Sequence, residues 1–284
     1  MSISKVGIVG SGIMGSGIAE VAAASGYQVV LRSRSQASAD AMMAGLAKSL
    51  AKQVEKGKRT EEEAATIAAR VSGTTHLGEL ADADLVIESV VEDLAVKKAL
   101  FAELDSVVKA GAILATNTST LPVVEMAMAT GRPELVCGIH FFNPAPAMAL
   151  VEVVRPITAD DSTVAAAVEF AAACGKDPVE VKDQAGFIVN ALLFPYLNNA
   201  VRLLDQGVAS KEGIDSAMKG GCGFPMGPFA LLDLVGLDTS LSILDALYEE
   251  FRDPNYAAVP LLRRLVTSGQ LGRKTKRGFY DYNR

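Results

Sequence analysis

The chain is short of several residue types on which whole functional classes depend. Its three cysteines, Cys137, Cys174 and Cys222, lie far apart and form no CxxC pair. A disulfide framework and a thiolate metal site are therefore not expected, no metal is invoked, and a reducing compartment fits better than secretion. Histidine occurs twice, at His76 and His140, so any imidazole chemistry falls to one of these. Basic residues are outnumbered, 27 against 33 acidic, for a net charge of −6. That balance argues against a nucleic-acid groove or a polybasic membrane anchor. Long apolar runs are missing too. The longest charge-free run, Gln184 to Val201, contains Gly186, Pro195 and three asparagines, a poor membrane span. No secretory apolar core precedes the first strand-like stretch, and the expected location is cytoplasmic.

What is present is ordinary globular material, 50% apolar and 21% charged. At 284 residues two domains are expected. Val6–Val9 reads as a strand, Ile13–Ala24 as a helix and Gln28–Leu31 as a second strand, which is the βαβ pattern of a parallel sheet. Leu85–Glu88, Ala112–Ala115, Val136–Ile139 and Leu150–Val154 continue the strand series, interleaved with helical stretches such as Val96–Val108. Gln36–Arg70 reads as a helical hairpin turning near Gly57. From about Phe187 strand-like runs nearly disappear and helices take over. The expected fold is α/β, a Rossmann-type doubly wound sheet over residues 1–184 followed by a smaller all-α domain over 185–284. The helical part is small for a free-standing core, so its apolar faces are expected to be covered, with a homodimer as the favoured arrangement.

Gly10-Ser11-Gly12-Ile13-Met14-Gly15 is a GxGxxG between a strand and a helix. The three glycines permit, in order, the tight turn, the approach of a pyrophosphate and the packing of helix on strand. The helix N-terminus adds free N–H groups and partial positive charge. At the end of the second strand an NAD site usually places a carboxylate on the ribose 2′-OH. Here Arg32-Ser33-Arg34 follows, with no acid. Ser33 can donate to a 2′-phosphate and Arg34 can fork onto it, so NADP(H) is favoured over NAD(H). A solvated Arg34 with no ligand is the alternative.

Asn117-Thr118-Ser119 and His140-Phe141-Phe142-Asn143-Pro144 each follow a strand, at the sheet edge where such folds bind ligands. Glu152 is a lone acid inside the apolar strand Leu150–Val154 and needs a cation or donor, for which His140 is the natural candidate. A hydroxyl, an imidazole and a carboxylate also suggest a hydrolase triad, but no GxSxG elbow is present. Alcohol oxidation fits better, with imidazole accepting the proton near neutral pH. Taken singly, a capping Ser119, a core His140 and a structural Glu152 are ordinary alternatives.

These motifs, with Leu150-Val151-Glu152-Val153, Gly186-Phe187-Ile188-Val189-Asn190, Pro225-Met226-Gly227-Pro228, Asp233–Asp238 and Gly278-Phe279-Tyr280, resemble those of the L-3-hydroxyacyl-CoA dehydrogenases along essentially the whole chain. The resemblance implies that His140 is the general base in oxidation and the acid in reduction, oriented by Glu152. It implies that Ser119 and Asn190 position the substrate's 3-oxygen and thioester. It also places Glu92, Lys97, Asn117, Ser119, Asn143 and Lys274 on the cofactor, and Ser49 and Lys56 on coenzyme A. Lys48, Lys52 and Lys56 recur every four residues and offer a cationic stripe, or simply a solvated helix face. The expected reaction is hydride exchange between a nicotinamide dinucleotide and C3 of a short-chain (S)-3-hydroxyacyl-CoA. A gulonate-type sugar-acid dehydrogenase on the same fold and a non-catalytic nucleotide-binding protein are the alternatives. Ser33 departs from the family, whose NAD-using members commonly carry aspartate there.

Overall fold

Val6, Ile8 and Val9 are fully buried in a five-residue strand, β1 (Lys5–Val9), whose near-continuous apolar sequence suits a parallel sheet covered on both faces. Residues 2–283 are described by the computed structural model, and they divide between Asp183 and Gln184 into two compact units. Seven further strands lie in the first unit: β2 (Gln28–Arg32), β3 (Val71–Thr74), β4 (Leu85–Glu88), β5 (Ile113–Thr116), β6 (Val136–Phe141), β7 (Leu150–Arg155) and β8 (Asp177–Lys182). They form one sheet in the order β3-β2-β1-β4-β5-β6-β7-β8. Strand β1 pairs in parallel with both β2 and β4, so the chain reverses its direction of winding beside the glycine turn.

Six helices accompany the sheet: α1 (Ile13–Ala24), α2 (Gln36–Glu55), α3 (Glu61–Ala69), α4 (Leu94–Val107), α5 (Val123–Ala127) and α6 (Asp161–Ala173). Their starts are written locally. Asp93 accepts from Val96 N at 2.9 Å to begin α4, and Thr60 and Glu63 close a reciprocal capping box on α3. Helices α2 and α3 form the hairpin read from the sequence, reversing through Gly57 at φ +66°.

Three elements differ from the sequence reading. Strands β3 and β8 escape it because Val71-Ser72-Gly73-Thr74 has one apolar side chain and Asp177–Lys182 carries Pro178 among charges. Both are edge strands, where an apolar pattern is not required. The third is β7, which runs antiparallel to β6 in an otherwise parallel sheet. The connection, residues 142–149, is shorter than the dozen or so residues of a parallel crossover, which leaves the antiparallel return.

The second unit holds α7 (Val189–Asp205), α8 (Lys211–Cys222), α9 (Pro228–Val235), α10 (Leu237–Phe251) and α11 (Pro260–Thr267). Phe194, Leu197, Phe229, Leu232, Leu244, Leu247 and Leu262 form its core. Asp215 accepts from Phe229 N and Ala230 N to cap α9. Asp233 accepts from the backbone of Phe279 and Tyr280 at 2.8 Å, fastening the C-terminal segment. Those motif residues are thus explained by architecture. Among the described residues no helix is long and apolar enough to cross a membrane.

Candidate active site

The turn after β1 assigns a different task to each glycine. Gly10 has φ +115°, and a Cβ there would stand 2.3 Å from the Ser89 carbonyl oxygen beyond β4. A Cβ on Gly15 would stand 1.8 Å from the Gly10 oxygen, so α1 could not pack back onto the turn. Around Gly12, by contrast, a Cβ would meet nothing within 4 Å. The opening lies at the N-terminus of α1, which has no side-chain cap and no acid in its first turn. Unfilled space, unsatisfied N–H groups and a positive helix end fit the pyrophosphate of a dinucleotide. Exposed Ile13 and half-buried Met14 flank it. From Ser11, Gly12 and Ile13 a groove of about 700 Å³ runs between α1 and α2 to Ser38, Met42 and Ser49. Ser49 therefore shares a cavity with the glycine turn. Lys56, like Lys48 and Lys52, is exposed at the end of α2, outside the residues that line this groove.

At the end of β2, Ser33 is 1% exposed, and its hydroxyl has no hydrogen-bond partner within the protein. The first turn of the α2 approach exposes Arg34 instead, while Arg32 directs its Nε at Thr75 O, 3.3 Å away.

The antiparallel register of β6 and β7 sets His140 directly opposite Glu152. Their side chains emerge on one face and meet, Nδ1 to Oε2, at 2.7 Å, with the two side chains 6% and 1% exposed. An ionised carboxylate only accepts, so Nδ1 is the donor and Nε2 the basic ring nitrogen. The Phe142 ring lies 4.5 Å from the imidazole, tilted by 54°. Neighbouring β5 leads into Asn117, whose Oδ1 accepts from Phe141 N at 2.8 Å and whose N–H donates to Glu88 O. Asn117 therefore ties together the ends of β4, β5 and β6, a positioning role that the direct cofactor contact expected from the family did not include.

A second polar cluster occupies the ends of β4 and β5. Glu88 is fully buried and accepts from Val90 N (2.6 Å), Thr116 Oγ1 (2.7 Å) and Lys97 Nζ (2.7 and 2.9 Å). Lys97, 1% exposed, also reaches Glu92 Oε2 at 3.1 Å. The other oxygen of Glu92 accepts from the Thr118 hydroxyl and from Ser119 N at 2.9 Å. Lys97 is therefore no solvated helix charge: its ammonium is held by two carboxylates. Sequence reasoning missed Glu88. The signal existed, since an acid closing the apolar run Leu85-Val86-Ile87 poses the same question of a buried partner as Glu152.

The remaining predicted residues are distributed between the units. Asn143 is exposed on the β6–β7 connection. Asn190 is buried in the first turn of α7, in the second unit. Lys274 also lies in the second unit, where it pairs with Asp238 near the start of α10. No group of His, Cys, Asp and Glu suited to a metal occurs among the described residues.

The family model described as 3-hydroxyacyl-CoA dehydrogenase, NAD binding domain, matches residues 5–184, and that of the 3-hydroxyacyl-CoA dehydrogenase C-terminal domain matches residues 186–282. The chain belongs to the 3-hydroxyacyl-CoA dehydrogenase family. A 3-hydroxybutyryl-CoA dehydrogenase of Clostridioides difficile is 49% identical over 99% of this chain and 100% of its own. One from Mycobacterium tuberculosis is 48% identical over 99% of both chains. The crystal structure of (S)-3-hydroxybutyryl-CoA dehydrogenase from Ralstonia eutropha superposes with a TM-score of 0.97 at 43% identity, over 100% of both chains. As a 3-hydroxyacyl-CoA dehydrogenase this protein is an oxidoreductase, with its NAD binding domain in the first unit.

Proposed function

We propose that this enzyme interconverts (S)-3-hydroxybutyryl-CoA and acetoacetyl-CoA. The observation that carries the reading is the 2.7 Å contact of His140 with Glu152, on a sheet whose glycine turn fits a dinucleotide. Relatives of that activity match nearly the full chain at 48–49% identity. The bound nicotinamide supplies the hydride acceptor or donor. In oxidation the C3–H pair leaves as hydride, the hydroxyl proton passes to His140 Nε2, and the oxygen closes to the ketone. In reduction the imidazolium returns that proton. Glu152 holds the tautomer through Nδ1 and offsets the positive charge as it forms. Burial of both side chains keeps water from the proton's path. Ser119 and Asn190 hold the 3-oxygen and the thioester, Ser49 and Lys56 meet the coenzyme A portion, and Glu92, Lys97, Asn143 and Lys274 face the cofactor.

For the ribose we propose NADP(H) in preference to NAD(H). No acid stands at Arg32-Ser33-Arg34 to repel a 2′-phosphate, and Arg34 is exposed to fork onto it. A homodimer through the second unit is supported by its exposed apolar side chains, Leu192 (72%), Val208 (64%) and Leu234 (49%) among them. The cytoplasm is the proposed compartment, in keeping with three free cysteines. Oxidation of NADPH and NADH by acetoacetyl-CoA tests these points together, and failure with both cofactors overturns the reaction. Arg34→Asp is expected to raise KM for NADPH about tenfold or more while sparing NADH. Equal effects on both would refute the ribose assignment.

A further inference from the structure

Glu88 has no place in the chemistry described above, yet it is fully buried at the carboxyl end of β4 with both oxygens engaged. A carboxylate in such a place is costly to desolvate, and replacement by an apolar side chain is often no less stable. Its connections point to a purpose. From Glu88 the chain of contacts runs to Lys97, from Lys97 to Glu92, and from Glu92 to the Thr118 hydroxyl and the Ser119 backbone N–H. A second branch runs through Thr116, whose hydroxyl donates to Glu88 and accepts from Thr118 N at 3.2 Å. Thr118 Oγ1 in turn accepts from Leu121 N at 3.0 Å. Both branches end on residues 118–121, the loop that presents Ser119.

Of the two acids that flank Lys97, the Glu92 side chain is 41% exposed and the Glu88 side chain 0%. An exposed glutamate alone would hold the loop weakly, because water competes for its oxygens and its rotamers are many. Glu88 fixes Lys97 from inside, and Lys97 then fixes Glu92. We propose that Glu88 is a positioning residue for hydride transfer: through Lys97 and Glu92, and through Thr116, it sets the placement of Ser119 against the substrate's 3-oxygen. The proposal rests on the role of Ser119 given under the proposed function. Small errors in such placement are expensive, about a hundredfold for 1 Å.

The test is a double-mutant cycle in the full-length enzyme, with acetoacetyl-CoA and reduced cofactor. Glu88→Gln and Thr118→Val break opposite ends of the relay. Each is expected to lower kcat about tenfold or more, while any loss of affinity for the reduced dinucleotide, read by fluorescence, is much smaller, because the glycine turn that holds the pyrophosphate is untouched and Glu92 and Lys97 remain present. The double variant is expected to fall little below the worse single one, since the two act through one network. Multiplying effects, an unchanged kcat in Glu88→Gln, or a parallel loss of kcat and dinucleotide affinity would overturn the proposal and leave Glu88 a structural acid. If Glu88→Gln does not fold, Thr116→Val keeps the buried charge and removes the hydroxyl that donates to it. A kcat loss there with retained dinucleotide affinity supports the relay, and no loss overturns it. Absence of turnover in the unmodified enzyme would instead refute the reaction on which the relay rests.

Discussion

Two glutamates are buried along one edge of the same sheet, each beside a nitrogen cation or potential cation, and they do opposite work. Glu152 meets an imidazole across an antiparallel pair. Glu88 meets an ammonium from the following helix. Imidazole changes charge near neutral pH, so the first pair can pass a proton to and from a substrate while its carboxylate stays in place. The Lys97 ammonium is clamped between two carboxylates, so the second pair holds geometry. Burial alone therefore does not distinguish a reacting pair from a structural one; the partner's chemistry does.

The largest expected effects separate the two pairs. His140→Gln preserves a donor toward Glu152, so its melting temperature should stay close to that of the parent while turnover falls about 10²–10⁴-fold. Lys97→Met leaves Glu88 buried without its cation, and chemical denaturation at pH 7 should show a loss of about 3–5 kcal/mol. A His140→Gln variant with near-full turnover, or a Lys97→Met protein of unchanged stability, would erase the contrast.

A smaller effect sharpens the same lesson at the glycine turn. Gly12 has φ −71° and open space where its Cβ would be. Gly12→Val should fold normally yet bind the dinucleotide about tenfold or more weakly. Gly15→Ala, whose Cβ would press on the Gly10 oxygen, should unfold first. Equal melting losses in the two would contradict these assignments. Least consequential are the thiols. Burial pushes Cys137 up to about 12 and Cys174 up to about 11, the latter against the opposing pull of Ser25 and Lys176. Both are neutral at pH 8, and only exposed Cys222 should be alkylated in the native protein. Mass spectrometry showing modification of either buried thiol would count against the packing of that unit.

What the sequence disclosed, and what it hid, follows from how far each feature depends on non-local contact. The start of the helix at Ile13 and the strand Leu85–Glu88 are read to the residue, because apolar runs and glycine punctuation are local. The meeting of His140 with Glu152 was legible through the cost of an isolated buried acid. Glu88 invited the same reasoning but sat at a strand end, where a charge normally points to water. The burial of Lys97 had no local signal, because a lysine on a helix is usually solvated, and only the fold brings two acids to it. The burial of Ser33 was hidden likewise, since a polar residue after a strand suggests exposure whereas its hydroxyl lies under the surface. The edge strands β3 and β8 were hidden for want of an apolar pattern.

The most direct measurement is kcat/KM in both directions, for the parent enzyme and for His140→Gln. A single imidazole serving as base in oxidation and as acid in reduction makes both directions fall together in the variant, about 10²–10⁴-fold. Retention of near-parent kcat/KM in either direction would show that another group carries the proton.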